Sequence, residues 1–256
     1  MGGDGRIFSM AQPEIDIVDN YEDLCGRVVQ RILDLSNRKI ALQGRFSIVL
    51  SGGATPKGIY QCMAGPLYRD KFKWERMHFF WGDERWVPSE DQRSNYRMVS
   101  EALLTKVNIP SENVHPIQTK DCDLQTSARR YEGTIGSFFK LKKGDLPVFD
   151  LVLLGIGQDG HTASLFPGNP ALLEKGLWAV PVAQEGIPEK RITLTLPAIN
   201  HADSIYFLVS GLDKAGIIAE VLANEKGRGF PANEIKPVQG NICWFLDKPA
   251  ASRLVN

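Results

Sequence analysis

One stretch, residues 149–164 (FDLVLLGIGQDGHTAS), constrains the fold more than any other part of the chain. Residues 148–154 are almost uninterruptedly apolar and too few for a typical helix, a pattern typical of strands in a parallel sheet covered on both faces. The run ends in glycines that carry Asp159 and His161. Because functional residues of open α/β sheets lie just beyond such strand ends, the stretch predicts a buried strand followed by an active-site loop.

The same glycines also match the GxGxxG pattern of dinucleotide-binding proteins. That pattern needs a long helix that begins inside it, so that the helix N-terminus faces the pyrophosphate. Here Pro167 and Pro170 interrupt the chain almost at once. The nearest acidic residues, Glu174 and Glu185, also miss the spacing of about 20 residues to a ribose-binding carboxylate. We therefore expect no dinucleotide cofactor.

Strand-like and helix-like segments alternate along the rest of the chain. Leu24, Val28 and Ile32 recur at helical spacing and predict a first amphipathic helix. The alternation predicts a doubly wound, mostly parallel sheet with helices on both faces, a Rossmann-like α/β fold. Residues 12–256 are expected to form a single catalytic domain, after a disordered tail over residues 1–11. The predicted strands are 46–50, 77–81, 148–154, 178–182, 192–196, 204–209 and 243–246, and the predicted helices are 95–104, 124–139, 214–222 and one that starts at Pro56.

Overall composition excludes several classes of partner. Thirty basic residues balance thirty acidic ones among 256 residues, so the net charge indicates neither nucleic acid nor an anionic membrane surface as a partner. No apolar run approaches the roughly 18 residues of a membrane span. Four cysteines without a CxxC pair are typical of a reducing compartment. We expect a cytoplasmic protein that is a monomer or a weak homodimer.

A glycine-rich loop, SGGATP, follows the predicted strand 46–50 and opens a helix. Gly52 and Gly53 allow backbone N–H groups to approach an anion, and the positive end of the helix faces whatever lies above the loop. A tight strand-to-helix turn, in which the glycines serve the backbone alone, is the alternative. The loop lacks the lysine of a Walker motif, so nucleoside triphosphate binding is not expected.

Three cations lie near predicted strand ends. The guanidinium of Arg85 can clamp a phosphate, although an ion pair with Asp83 or Glu84 is the simpler interpretation of that residue alone. Arg191 and Lys214, each considered alone, are typical surface charges. Because the loops of a parallel sheet emerge at one edge, these residues gain interest as a group around a small anionic substrate.

His161 is the best candidate for a catalytic base. Glycines expose it at a strand end, and Asp159 is near enough in sequence to orient its ring. The backbone N–H groups of Gly157 and Gly160 are candidates for stabilising an oxyanion. Asp159 and His161 can also bind a metal, yet no third ligand follows at a recognisable spacing, so we expect no metal.

Four blocks together resemble the 6-phosphogluconolactonase family: LSGGATP at 50–56, WGDER at 81–85 with Asn95, GIGQDGHTASLFP at 155–167, and RITLT at 191–195. The resemblance implies hydrolysis of 6-phosphogluconolactone in the oxidative pentose phosphate pathway, without a cofactor. It implies that His161 is the base and that Asp159 assists it. The phosphate-binding residues that it implies are Ser51, Gly52, Gly53, Ala54, Thr55, Arg85, Asn95, Arg191 and Lys214.

Two alternatives remain open at this stage. Glucosamine-6-phosphate deaminase shares the SGGxTP and DGH blocks, but it has a catalytic carboxylate in the segment where this chain has residues 162–167 without an acid. A sugar-phosphate sensor without catalytic activity is the other alternative. Turnover of freshly generated lactone separates an enzyme from a sensor.

Overall fold

The computed structural model describes residues 13–223 and 229–254, and within them the backbone forms ten strands. Seven strands form one parallel sheet, and the other three form a small antiparallel sheet beside it. The predicted tail, residues 1–11, lies outside the described residues. The strands are β1 (Glu14–Val18), β2 (Phe46–Leu50), β3 (Met77–Trp81), β4 (Asp83–Arg85), β5 (Val114–His115), β6 (Leu151–Leu154), β7 (Ala179–Val182), β8 (Arg191–Leu194), β9 (Ser204–Val209) and β10 (Asn241–Asp247).

The helices connect and cover these strands. A π-helical turn, Ser100–Leu104, continues the third α-helix. In the described ranges, no helix combines the length and the apolar character that crossing a bilayer requires. The α-helices are α1 (Tyr21–Gln43), α2 (Ala54–Met63), α3 (Asn95–Val99), α4 (Leu124–Phe139), α5 (Leu196–Asn200), α6 (Ala215–Leu222) and α7 (Lys248–Ala251), and short 3-10 helices lie at Trp74–Arg76, Ser111–Asn113, Pro170–Leu173, Leu212–Lys214 and Pro231–Glu234.

Helix α1 forms where the apolar spacing predicts it. The side chain of Asn20 accepts a hydrogen bond from the Asp23 N–H at 2.9 Å and caps the helix N-terminus. Leu24, Val28 and Ile32 are fully buried on one face. The helix ends at Gly44, whose φ of 80° lies in the left-handed region that glycine adopts without strain.

Strand β2 lies inside the parallel sheet and all five of its residues are buried. Its neighbours are β3 on one side and β6 on the other. Burial of one such large apolar side chain contributes roughly 1.5–3 kcal/mol. The centre of the sheet is therefore the rigid base on which the loops at its carboxyl edge stand.

The order of the parallel strands is β1-β10-β9-β6-β2-β3-β5, which confirms the predicted doubly wound, mostly parallel fold. Within the parallel sheet, the next strand after β2 is β3, which lies on one side of it. The next strand of this sheet after β6 is β9, which lies on the opposite side. The strands β2 and β6 are neighbours, and the connections that follow them run to opposite sides of the sheet. Ligands of open α/β sheets bind in the crevice at such a switch point.

The structure corrects three of the predicted strands. Segments 178–182 and 192–196 form β7 and β8 of the antiparallel sheet instead of joining the parallel one, and their partner β4 was not predicted. The strand predicted at 148–154 begins at Leu151, because Asp150 pairs with the Ser47 side chain and backbone N–H instead of extending the ladder. The edge strands β1 and β5 were also not predicted, since neither has a fully buried face.

Candidate active site

A cavity of about 430 Å³ lies at the switch point. Its walls come from the loops that follow β2, β6 and β9, together with β4 and the start of β8. Asp159, Asn95 and Gly160 lie next to the cavity walls but not among the residues that line them. Of the site residues predicted from the sequence, the structure brings together on the cavity surface Ser51, Gly52, Gly53, Ala54, Thr55, Arg85, Gly157, His161, Arg191 and Lys214.

The loop after β2 is fixed by a buried tyrosine. Ser51 donates its backbone N–H to the Tyr60 hydroxyl, which donates in turn to the Ser51 carbonyl, both at 2.9 Å. Gly53 has a φ of 106° and immediately precedes helix α2, so the helix N-terminus opens onto the cavity. The Ser51 Oγ is buried and has no hydrogen-bond partner among the described residues. The first N–H groups of a helix have no partner within the helix, and together with the Ser51 hydroxyl they are suited to binding an anion.

Asn95 supports this loop from behind. It is 2% exposed, and its amide donates to the backbone and side-chain oxygens of Asp83 at 2.9 and 3.1 Å. A Cβ added to Gly52 would overlap the amide of Asn95. Asn95, which the sequence resemblance placed among the phosphate-binding residues, therefore contacts the loop and not the cavity.

His161 and Asp159 form a close pair. The Nδ1 of His161 lies 2.5 Å from the Oδ1 of Asp159, which also accepts the His161 backbone N–H at 3.2 Å. Partial burial raises the pKa of Asp159, but the hydrogen bond and the charge of His161 outweigh it, so the pKa lies below its usual value. An ionised Asp159 accepts the Nδ1 proton, which leaves the Nε2 lone pair of a neutral ring available for a proton.

Gly157 makes room for this pair. A Cβ at Gly157 would overlap the His161 ring and lie 2.6 Å from the Asp159 Oδ1. Its N–H donates to the His161 carbonyl at 2.9 Å, and the N–H of Gly160 donates to the Gly157 carbonyl at 3.0 Å. Both predicted oxyanion donors are thus engaged inside the loop, and their role in binding an oxyanion stays a prediction that the geometry does not support.

The outer side of the loop after β6, which carries His161, packs against the segment that begins at Gly229. A Cβ at Gly160 would overlap the ring of Phe230, and the Ala232 N–H donates to the Gly160 carbonyl at 3.0 Å. Phe166 lies on the inner side, where its ring centroid is 4.6 Å from that of His161. The imidazole is therefore fixed by packing as well as by Asp159.

Arg85 and Arg191 face each other across the small sheet, in direct register between β4 and β8. Like charges placed directly opposite are destabilising. The Nη1 of Arg85 donates to the Arg93 carbonyl at 2.6 Å, and the Nε atoms of both arginines are buried without a partner among the described residues. Lys214, 3.8 Å from a carboxylate oxygen of Asp213, adds a third cation to the same cavity. An anion between these groups would relieve their repulsion and satisfy their donors.

Glu84 of the same strand has a different task. Its carboxylate accepts the backbone N–H groups of Arg85, Asn95 and Tyr96 at 2.7–2.8 Å, and so it caps the start of α3. Burial raises the pKa of Glu84, although these hydrogen bonds act in the opposite direction. The Arg85 guanidinium instead donates a hydrogen bond to the Arg93 carbonyl, so the ion pair considered for Arg85 is not the arrangement observed.

Three residues near the cavity have contacts that the sequence did not predict: Ser164 and Phe166, which received no role, and Asp83, which was considered only as an ion-pair partner of Arg85. Ser164 donates its hydroxyl to an Asp83 oxygen at 2.6 Å across 81 positions of sequence. Phe166 lies below both the His161 ring and the Arg191 guanidinium. No local spacing reveals such contacts, because they depend on how two loops meet.

Comparison with known proteins agrees with this geometry. Residues 19–244 match the family model described as glucosamine-6-phosphate isomerases/6-phosphogluconolactonase. A 6-phosphogluconolactonase of Synechocystis sp. is 40% identical over 94% of this chain and 98% of its own, and one of Mycobacterium bovis is 35% identical over 94% and 98%.

Solved structures give the same result. The 6-phosphogluconolactonase of Trypanosoma cruzi superposes with a TM-score of 0.85 at 29% identity, covering 97% of this chain and 99% of the other. A monomeric glucosamine-6-phosphate deaminase superposes with a TM-score of 0.78 at 21% identity, covering 94% and 99%. At that identity the second comparison shows a shared fold.

Proposed function

The chain belongs to the family of glucosamine-6-phosphate isomerases and 6-phosphogluconolactonases, and on that premise we propose that it hydrolyses 6-phosphogluconolactone with His161 as the general base. The product is 6-phosphogluconate, and the reaction is a step of the oxidative pentose phosphate pathway. The observation that carries the proposal is a carboxylate-paired histidine in the same cavity as three cations.

The cations provide a place for the phosphate of the substrate. Arg85 and Arg191 present unpartnered Nε donors, and Ser51 presents an unpartnered hydroxyl. The N-terminus of α2 and the side chain of Lys214 add positive potential. A doubly charged phosphate held by these groups would orient the lactone ring toward His161, and orientation of this kind lowers the barrier substantially.

The reaction then needs one base and one water. The Nε2 of His161 takes a proton from a water molecule as its oxygen attacks the lactone carbonyl carbon. Asp159 keeps the proton on Nδ1 and stabilises the imidazolium that forms. When the bond between the carbonyl carbon and the ring oxygen breaks, His161 returns the proton to that oxygen. These steps use no cofactor.

The deaminase alternative lacks a supporting residue. Ring opening and isomerisation of an amino sugar need acid–base groups beyond one histidine. In the segment where the deaminase has its acid, this chain has Leu165 and Phe166, both buried among apolar residues. No specific observation favours a sensor, because the catalytic pair is intact.

Initial rates with two substrates test the proposal. The full chain should hydrolyse freshly generated 6-phosphogluconolactone well above its spontaneous opening and release no ammonia from glucosamine 6-phosphate. Both compounds should compete for the cavity because they share a phosphate. Ammonia release at a rate comparable to lactone hydrolysis would overturn the lactonase proposal, and competition without turnover of either compound would favour a sensor.

The remaining expectations are proposals of the same kind. We propose a cytoplasmic enzyme that is a monomer or a weak homodimer and binds neither nucleic acid nor membrane. The four unpaired cysteines agree with a reducing compartment, although one 35% identical relative from Arabidopsis thaliana is named as chloroplastic. A single domain over residues 12–256 is supported by one contiguous hydrophobic cluster that joins α1, the sheet and α7.

A further inference from the structure

The carboxylate of Asp83 is buried at the wall of the cavity, where it meets three side chains. It is 5% exposed. One oxygen accepts the Ser164 hydroxyl at 2.6 Å and lies 3.8 Å from the Nη1 of Arg191, and the other accepts from Asn95 at 3.1 Å. An uncompensated buried carboxylate is costly, so these partners are what keeps Asp83 in place.

Arg191 depends on the same group for its orientation. Its Nη1 lies 3.5 Å from the Ser164 Oγ, and its guanidinium lies 5.5 Å from the ring centroid of Phe166. Burial lowers the pKa of Arg191, and Asp83 counteracts that effect while Arg85 reinforces it. The guanidinium of Arg191 is repelled by the charge of Arg85 and attracted by the carboxylate of Asp83.

Ser164 lies in the loop after β6 that also carries His161, and the backbone just before it adopts an uncommon conformation. Ala163, directly before it, has a φ of 49°, a left-handed conformation that costs a residue with a Cβ roughly 1 kcal/mol. The Ser164 N–H donates to the Thr193 Oγ1 at 3.2 Å, and Thr193 is the register partner of Asp83 in the small sheet. Ser164 therefore ties the loop that carries His161 to the strands that carry the two arginines.

We propose that Asp83 and Ser164 are positioning residues that fix the guanidinium of Arg191 in the cavity so that it meets the substrate in one orientation. The proposal rests on the proposed lactone hydrolysis, because its effect is expressed through the substrate that Arg191 binds. Ser164 acts through Asp83 and Arg191, and neither Ser164 nor Asp83 contacts the reacting atoms. The position of the Arg191 guanidinium therefore depends on the loop after β6, which also positions His161.

A double-mutant cycle on the full chain tests this dependence. With 6-phosphogluconolactone, Ser164→Ala should lower kcat/KM about tenfold, the size expected for one hydrogen bond to a charged group. Asp83→Asn, which keeps one acceptor oxygen, replaces the other with an N–H donor and removes the charge, should lower kcat/KM at least as much. In the Arg191→Ala background, Ser164→Ala should change kcat/KM by less than about twofold, because its target is gone.

The control is Ser36→Ala, which removes another buried serine hydroxyl, bonded to the Leu33 carbonyl far from the cavity. It should leave kcat/KM unchanged. A Ser164→Ala effect that persists at full size in the Arg191→Ala background would mean a structural role and overturn the proposal, as would unchanged activity in Ser164→Ala. Absence of lactone hydrolysis by the unmodified chain would instead overturn the proposed function, so the two failures are distinguishable.

Discussion

The two loops that meet at the cavity are built on opposite principles. The loop after β2 presents mainly backbone groups, together with the hydroxyl of Ser51, and the residues that fix it, Tyr60 and Asn95, lie behind it. The loop after β6 presents side chains, and it is fixed by contacts with Phe230, Thr193 and Asp83 from distant segments. The first can therefore tolerate a changed side chain where space allows, whereas the second depends on the identity of the side chains that it carries.

The largest effect should come from removing the His161 side chain from the loop after β6. His161→Ala should lower turnover by about 10² to 10⁴, the usual contribution of a general base, and should leave phosphate-ligand affinity largely intact. Steady-state kinetics with 6-phosphogluconolactone measure both. His201→Ala is the matched control, since His201 lies outside the cavity. Near-normal turnover in a folded His161→Ala protein would remove His161 from its role.

Gly157 tests whether space alone fixes the catalytic pair. Its φ is not in the left-handed region, so alanine fits the backbone, but its Cβ would displace the His161 ring and the Asp159 carboxylate. A displacement on the order of 1 Å can cost about 10²-fold in rate, and we expect that loss in kcat for Gly157→Ala. Gly133→Ala on α4, where the added Cβ meets no atom within 4 Å, is the control. Equal kcat in the two variants would contradict this account of Gly157.

Beyond Ser51, the loop after β2 should respond to a shift of its backbone more than to a change of side chain. Gly52→Ala would push against Asn95 and move the backbone N–H groups, so KM for the phosphorylated lactone should rise about tenfold, a factor that corresponds to roughly 1.4 kcal/mol. Ala54→Ser in the same loop should change KM by less than about twofold, because Ala54 is exposed and the proposed contact with the anion is through its backbone N–H. A larger effect from Ala54→Ser than from Gly52→Ala would break the comparison between the two loops.

The smallest effect concerns stability and lies outside both loops. Burial lowers the pKa of His78, the charges of His115 and Arg45 act in the same direction, and the pKa falls to about 4. The Nδ1 of His78 lies 3.3 Å from the His115 Nε2. The unfolded chain, with a histidine pKa near 6.5, therefore binds more protons than the folded one between about pH 4 and 6.5. Stability is fully present above that window and falls as the pH drops through it.

Denaturant unfolding at several pH values measures this dependence. His78→Gln should remove the part that corresponds to an uptake of up to about one proton on unfolding. His161→Ala should leave it in place if the two regions are independent. An unchanged pH dependence in His78→Gln would show that other groups cause the loss of stability in acid.

The sequence predicts what depends on local pattern. The spacing of Leu24, Val28 and Ile32 gives α1, and the apolar run before Gly155 places His161 at a strand end. It does not predict that segment 192–196 belongs to a second sheet, because a short β-rich segment has the same pattern in either sheet. The sequence also does not show that Gly157 leaves space for the His161 ring, because that depends on how the loop folds back on itself.

The contact between Ser164 and Asp83 marks a further limit of sequence reasoning. Both residues stand in recognisable motifs, and their contact was not predicted because each motif was interpreted separately. Asn95 shows the reverse case, since its motif suggests contact with the ligand while its side chain contacts Gly52 and Asp83. Motifs identify which segments meet, and the three-dimensional structure decides which of their residues face the substrate.

The facing pair of Arg85 and Arg191 has a thermodynamic consequence for the protein without substrate. The two guanidinium groups repel each other, an effect that Asp83 offsets at Arg191, and in the described part of the chain each has a buried Nε without a partner. An anion bound between them would therefore stabilise the folded protein. Ligand occupancy and heat resistance are then linked by mass action, so inorganic phosphate alone should raise the melting temperature. The two facing cations thus lower the stability of the folded protein, and the same cations allow the cavity to bind an anion.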